Sequence, residues 1–234
     1  MYSSYSEIKN ILIVVAAGYG KRMQLSYPKQ FLEYKGKPLF IRPVLIGNDS
    51  ELIDLIIIVT QKENIQKIDT ICKLNNVNKP YNVIPGGLER QESVYNGIKE
   101  LENIENLAEN AIIFVQDGVR PFFKEKYIKD SLDEINNNDV DGVVIGVPVK
   151  DTIKIIDSNG FIISTPERKT LIGANTPQVF KHKILKKAYE MARDTNFLGT
   201  DDSSLVEKIG GKVKIIIGDY DNIKITTPED LKFI

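Results

Sequence analysis

The 234-residue chain has no tryptophan, one cysteine and one histidine, and aromatic side chains make up only 8% of it. The single Cys72 excludes an internal disulfide framework and any cysteine-rich zinc site, and the single His182 leaves little imidazole for metal binding. A metal, if the protein uses one, is expected to be a hard ion held by carboxylates and substrate phosphates. An excess of one charge is also lacking, because 31 Lys and Arg stand against 32 Asp and Glu for a formal charge of -1. There is thus no global electrostatic footprint for a nucleic acid or an anionic membrane, and an anion site has to be made by local clustering. No aliphatic run is long enough to span a bilayer, and the opening MYSSYSEIKN has neither a cationic start nor a small-residue cleavage site. These absences point to a soluble, cytoplasmic protein.

What is present is a hydrophobic content of 42%, enough for a sizeable core. Short β-branched runs at 10–16, 54–60, 81–86, 111–117, 142–149 and 212–218 read as buried strands. Helix-like spacing fills 38–48, 62–75, 91–105, 124–138 and 181–195 between them. Strands alternating with helices imply a Rossmann-like α/β fold: a mostly parallel sheet with helices on both faces and its ligand site at the carboxyl ends of the strands. One segment, 149–172, breaks the alternation, because IKII and FIIS flank the turn signal Asp157-Ser158-Asn159-Gly160. It reads as a β-hairpin arm on a single domain spanning 1–234. Two strands alone bury too little, so the arm either packs on its own domain or meets a second subunit, and the subunit interface is the stronger reading.

The stretch ILIVVAAGYGKRMQLSYPKQFL carries the chemistry. A strand ending in Ala16-Ala17-Gly18-Tyr19-Gly20 brings small residues and bare N–H groups to the sheet edge, where a base or phosphate can approach closely. Met23 stands where a dinucleotide fingerprint needs glycine, and the Gly-Lys-Ser/Thr ending of a phosphate-binding P-loop is missing. Taken alone, the loop is equally a tight turn with solvated cations. Lys29, fixed behind Pro28, adds a second cation site, so that Arg22 and Lys29 would bracket a polyphosphate, arginine through bidentate contact and lysine as a point charge. Asp117, at the end of a strand, is placed to hold Mg²⁺ on nucleotide phosphates or to accept a ribose hydroxyl; a helix cap or an ion pair with Arg120 is the plainer alternative. Gly86 and Gly87 would let a base lie against backbone, and Ser93 would cap the following helix or touch the nucleoside. Lys224, alternating with Ile223 and Ile225 ahead of a Thr227-Pro228 helix start, would point away from their face into a cleft.

In order along the chain, AAGYGKRM…PKQFL, GGLERQESVYNGI, VQDGVRPFF, VPVKDTIK, NTPQVF, TDDSSLVE and DNIKITTPEDL resemble the motifs of the 2-C-methyl-D-erythritol 4-phosphate cytidylyltransferase family, within the sugar-phosphate nucleotidyltransferases. The resemblance runs from about Ile11 to Leu231 on this motif count. It implies cytidylyl transfer from CTP to a sugar-alcohol phosphate with release of pyrophosphate, a divalent cation such as Mg²⁺ as cofactor, and a homodimer joined by the arm. It also implies site roles. Arg22, Lys29 and Lys224 would act on the phosphates; Ala16, Ala17, Gly18, Gly20, Gly86, Gly87, Ser93 and Asp117 would hold the nucleotide, Asp117 with the metal. Thr152, Arg168 and Thr176 would hold the acceptor, the first two across the dimer interface. The chain departs from the family at Gln116, where histidine is common, at Gly118-Val119 in place of Ala-Ala, and at Leu88, a usually polar position. Ribitol 5-phosphate cytidylyltransferase shares the PKQF and RPF motifs and is the alternative enzyme, PVKDTIK and the arm favouring methylerythritol phosphate. A catalytically silent nucleotide-binding protein is the alternative outside enzymes, opposed by the joint presence of Arg22, Lys29, Asp117 and Lys224.

Overall fold

The aliphatic runs and amphipathic segments form alternating elements in the computed structural model, which describes residues 7–20, 23 and 27–234. In chain order these are β1 (Ile8–Ala16), β2 (Glu33–Tyr34), β3 (Lys37–Pro38), α1 (Ile41–Asp49), β4 (Leu55–Thr60), α2 (Ile65–Leu74), β5 (Tyr81–Pro85), α3 (Arg90–Glu100) and β6 (Leu107–Asp117). There follow α4 (Glu125–Asn137), β7 (Gly142–Pro148), β8 (Ile155–Ile156), β9 (Ile162–Ser164), β10 (Ile172–Lys181), α5 (His182–Asp194), α6 (Asp202–Lys208) and β11 (Val213–Ile217). The six aliphatic runs thus become β1, β4, β5, β6, β7 and β11, and the five helix-patterned segments become α1 to α5.

The main sheet has the order β11-β7-β10-β6-β1-β4-β5. Pairings are parallel throughout except at β10, which runs antiparallel to both β6 and β7. The period of two sorts the strand side chains onto two faces. Leu12, Val14, Ile56 and Ile58 pack with α1, α2 and α4, while Ile11, Ile13, Ile57 and Val59 pack with α3, α5 and α6. Both faces are covered, which is why β1 and β4 are continuous aliphatic runs rather than alternating ones. Each such isoleucine removed from water contributes about 2 kcal/mol toward folding.

The helix α6 and the short β2–β3 pair were not read from the sequence, and two segments beside the site differ from the sequence reading. β10 was not expected as a strand: Asn175 and Pro177 interrupt its pattern, and its register with β7 shifts between Ala174 and Gln178. The segment 221–227, read as strand-like around Lys224, forms no strand and lies outside the sheet, and the chain then turns into a 3-10 helix, Pro228–Phe233, under a Thr227/Asp230 capping box. The hairpin forms as expected from β8 and β9, its turn closed by the Asp157 carboxylate accepting from the Asn159 and Phe161 N–H groups, each at 2.9 Å. Among the described residues no helix is long and apolar enough to cross a membrane.

β1 has β4 on one side and β6 on the other, so the chain leaves β1 for β4 and β5 and then returns across it to form β6. This reversal leaves a crevice beyond the carboxyl ends of β1 and β6, the position favoured for ligands in such sheets.

Candidate active site

The loop after β1 leaves the sheet at Ala16 and turns at Gly20, whose φ of +65° a side chain would strain. A Cβ there would also lie 3.3 Å from the Lys29 side chain, so the glycine allows the two ends of the loop to meet. Pro28 is extended and delivers a single 3-10 turn, Lys29–Phe31, which Phe31 anchors edge-on to Phe40 with ring centroids 5.9 Å apart. Lys29 is buried by this anchoring, and its ammonium donates to the Ile225 carbonyl at 3.0 Å. That bond ties the loop to the segment carrying Lys224. Arg22, and with it the other half of the expected phosphate bracket, lies outside the described residues.

Asp117 ends β6 opposite Val15 of β1. Its backbone N–H donates to the Thr176 hydroxyl at 3.1 Å, so the β10 strand missed in the sequence fixes the end of β6. Three cations converge on its carboxylate: Lys224 Nζ at 2.8 Å, Arg90 Nε at 3.1 Å and Arg120 Nε at 3.5 Å. Burial alone would push the Asp117 carboxyl up, but Arg90, Lys224 and Arg120 together outweigh it and hold the group well below the usual carboxylate range. Burial acts on Arg120 in the opposite sense and lowers its pKa despite the attraction of Asp117. The ion pair with Arg120 anticipated as the plainer alternative is therefore real, but it is one of three.

A cavity of about 250 Å³ opens here, lined by Ala16, Gly18, Gly20, Lys29, Gln30, Arg90, Asp117 and Lys224, among others. Sequence-predicted residues 16, 18, 20, 29, 117 and 224 thus come together from the β1 loop, the end of β6 and the C-terminal segment. Ala17, Gly86, Gly87 and Ser93 do not line it. A Cβ on Gly86 would lie 2.6 Å from that of Ala17 and 2.7 Å from Ser93 Oγ, so this glycine is needed for packing of the β5–α3 loop against the β1 loop. Ser93 is not the cap of α3, because Glu89 occupies that position. Its hydroxyl donates to the Glu89 carbonyl and accepts from the Gly87 N–H, both at 3.1 Å, so its observed contacts stiffen the loop. Thr152 and Arg168 are exposed on the arm; Arg168 donates to the Lys150 carbonyl at 3.0 Å, and neither residue lines the cavity of its own chain.

Sequence reasoning assigned no site role to Arg90, the first residue of α3, or to its partner Asp202, the first residue of α6. A signal existed in TDDSS. Two successive carboxylates stand at the start of a helix that needs only one cap: Asp201 caps α6, accepting from the Ser204 N–H at 3.0 Å, and Asp202 is left for another purpose.

Comparisons with known proteins give the family. The model of the IspD family, 2-C-methyl-D-erythritol 4-phosphate cytidylyltransferase, matches residues 10–234. The chain belongs to the IspD family. Its relatives include the 2-C-methyl-D-erythritol 4-phosphate cytidylyltransferase of Fusobacterium nucleatum, 52% identical over all of both chains. The protein of that name from Geobacter metallireducens is 40% identical over 94% of this chain and 93% of its own. Among solved structures, the 4-diphosphocytidyl-2C-methyl-D-erythritol synthase of Anaerococcus prevotii superposes with a TM-score of 0.83 at 30% identity, covering 97% of this chain and 94% of that one. The IspD of Francisella tularensis gives a TM-score of 0.77 at 25% identity, covering 96% and 97%. Membership makes the chain a cytidylyltransferase of isoprenoid precursor synthesis, and it sets aside the silent-binder reading.

Proposed function

We propose that the protein transfers the cytidylyl group of CTP to the phosphate of 2-C-methyl-D-erythritol 4-phosphate at the Asp117 cavity. The observation that carries this site assignment is the convergence of Arg90, Arg120 and Lys224 on one carboxylate at the switch point of the sheet, with Lys29 on the facing loop. An oxygen of the acceptor phosphate bonds to the α-phosphorus of CTP, the bond from that phosphorus to the bridging oxygen breaks, and the electron pair leaves with pyrophosphate. A phosphate monoester has a second pKa of about 6, so the nucleophile is already largely ionised at neutral pH and no general base is needed. What opposes the reaction is repulsion between polyanions, and cationic positioning is the chemistry required.

One of the charges around Asp117 suits that task because it is exchangeable. Lys224 is held to Asp117 by a single 2.8 Å contact and its side chain is one-third exposed, so it is placed to turn from carboxylate to incoming phosphate. Lys29, seated on the Ile225 carbonyl, offers a cation of fixed position to charge growing on the leaving group. In this reading Arg22 supports the same phosphates.

The donor set also fits Mg²⁺. Among the described residues no cluster of three or more His, Cys, Asp or Glu side chains could form a protein cage for a metal. A single carboxylate beside a triphosphate is the arrangement in which Mg²⁺ takes most of its oxygens from substrate and water. Asp117 would hold the ion once Lys224 turns away, and the ion would supply charge neutralisation at the phosphates. The homodimer belongs to the same reading. Phe161, Ile162 and Ile163 of the arm are 72%, 63% and 65% exposed, an apolar surface that a second copy of the chain would cover. Thr152 and Arg168, absent from the cavity of their own chain, would then serve the acceptor phosphate bound by the other protomer, with Thr176 holding the Asp117 backbone in place.

The test is Mg²⁺-dependent pyrophosphate release from CTP, with 2-C-methyl-D-erythritol 4-phosphate and ribitol 5-phosphate assayed in parallel and Lys224→Ala as the control. Turnover with the first acceptor alone is expected, falling about a hundredfold in the variant, the scale on which a lost transition-state donor is felt. Turnover with ribitol phosphate instead would reassign the acceptor, and full activity in Lys224→Ala would remove the site assignment.

A further inference from the structure

Behind Arg90 stands a buried pair that the proposed chemistry does not use. Asp202 is fully buried, and its two oxygens accept from the two arms of the Arg90 guanidinium, Nη1 to Oδ1 at 2.9 Å and Nη2 to Oδ2 at 2.8 Å. The Tyr189 hydroxyl, itself buried in α5, donates to the same Oδ1. Three helices therefore meet at one polar point: α3 through Arg90, α5 through Tyr189 and α6 through Asp202. What remains for Asp117 is the Arg90 Nε–H, at 3.1 Å.

The geometry of arginine makes this division meaningful. A guanidinium carries a rigid fork matched to a carboxylate, and a bidentate pair is stronger and more directional than a single N–H bond. Were Asp202 displaced or absent, the fork would be available to Asp117, whose Oδ1 already accepts from Arg90 Nε at 3.1 Å. Asp117 would then be closed by a bidentate partner in addition to Arg120, and would be slow to release oxygens to anything entering the cavity. With the fork occupied by Asp202, Asp117 meets Arg90 through one bond and keeps an oxygen whose nearest cation is the partly exposed Lys224.

We propose that Asp202 and Tyr189 are positioning residues for cytidylyl transfer: they occupy the Arg90 fork, so that Arg90 meets Asp117 edge-on through Nε alone. This rests on the cytidylyl-transfer reading above. Tyr189 fixes the rotamer of Asp202, and Asp202 fixes the plane of the guanidinium. The hydroxyl is the informative group to remove, because the Tyr189 ring also stacks on Tyr95 of α3, with centroids 6.3 Å apart and planes 10° from parallel, and phenylalanine preserves that packing.

Tyr189→Phe, Arg90→Lys and the double variant are compared with the wild-type protein by steady-state kinetics and by the NMR signal of the Arg90 Nε–H, assigned from its loss in Arg90→Lys. The expected result is a fall in kcat of roughly fivefold in Tyr189→Phe, the factor that one ordinary hydrogen bond implies, with KM for CTP unchanged. That fall should vanish when Arg90 is already lysine, because the hydroxyl acts only through the guanidinium. The Nε–H signal should be sharp and exchange-protected in the wild type and broadened in Tyr189→Phe. An unchanged signal with unchanged kcat would overturn the proposal, as would a loss of equal size in the Arg90→Lys background. If the wild type releases no pyrophosphate, the cytidylyl-transfer reading is what fails, and the Nε–H signal still decides whether Tyr189 holds Arg90.

Discussion

At the scale of single residues, the site depends on a carboxylate shared among competitors. Asp117 is surrounded by Arg90, Arg120 and Lys224, so its charge is stabilising only while it remains ionised. Because its folded pKa is depressed, this stabilisation is fully present above the unfolded value of about 3.9 and is lost as pH falls through the folded one. Asp117→Asn leaves those cations without a buried counter-charge and is expected to cost about 3 kcal/mol at pH 7, read as a lowered thermal midpoint. The gap between variant and wild type should stay flat from pH 8 to pH 5 and close only in stronger acid. A gap that widened on acidification would contradict the assigned ion pairs. The same residue shows what was legible at this scale: a carboxylate at the end of an aliphatic run is visible in the sequence, as are Lys29 and Lys224. Arg90 and Asp202 are 112 positions apart, and no local pattern announces their meeting.

At the scale of elements, the arm and β10 contrast. The arm was legible because turn chemistry is local: Asp157, Asn159 and Gly160 specify the reversal, and the flanking aliphatics specify strands. Its outward apolar face is the surface that the second copy of the chain proposed above would cover. Phe161→Ser combined with Ile163→Ser is expected to shift the sedimenting species from dimer to monomer while leaving the circular dichroism spectrum unchanged. A wild-type protein that sediments as a monomer at every concentration would remove the dimer from the reading. β10 was illegible because its strand character is imposed from outside. It pairs with β7 from Ile172 to Ala174 and, from Gln178 on, with both β6 and β7, so the sheet holds it on either side of the stretch Asn175-Thr176-Pro177, which has no strand character of its own. Its irregular stretch is the part that carries Thr176 to the Asp117 backbone.

At the scale of the whole molecule, two apolar layers clamp the sheet and hold the carboxyl ends of β1 and β6 in register, so that Val15 stands beside Asp117. Ile57 lies fully buried on β4 in the layer beneath α3. Ile57→Ala is expected to cost about 2–5 kcal/mol in denaturant unfolding by leaving a cavity there. A cost below the size of one exposed substitution would mean that the layer repacks freely and does not set the strand register.

The alternation of strands and helices, the hairpin and the motif loops were all legible along the chain, because hydrophobic period, turn residues and small-residue strand ends are local properties. The sequence also carried family membership through motifs in a fixed order. Which charges face one another is set by the fold. The sheet order brings β1 beside β6, β10 between β6 and β7, and the 221–227 segment over the cavity, and those adjacencies surround Asp117 with three cations and put the Arg90 fork on Asp202. Electrostatic partnership falls off over a few ångströms of space, and distance along the chain carries almost no information about it.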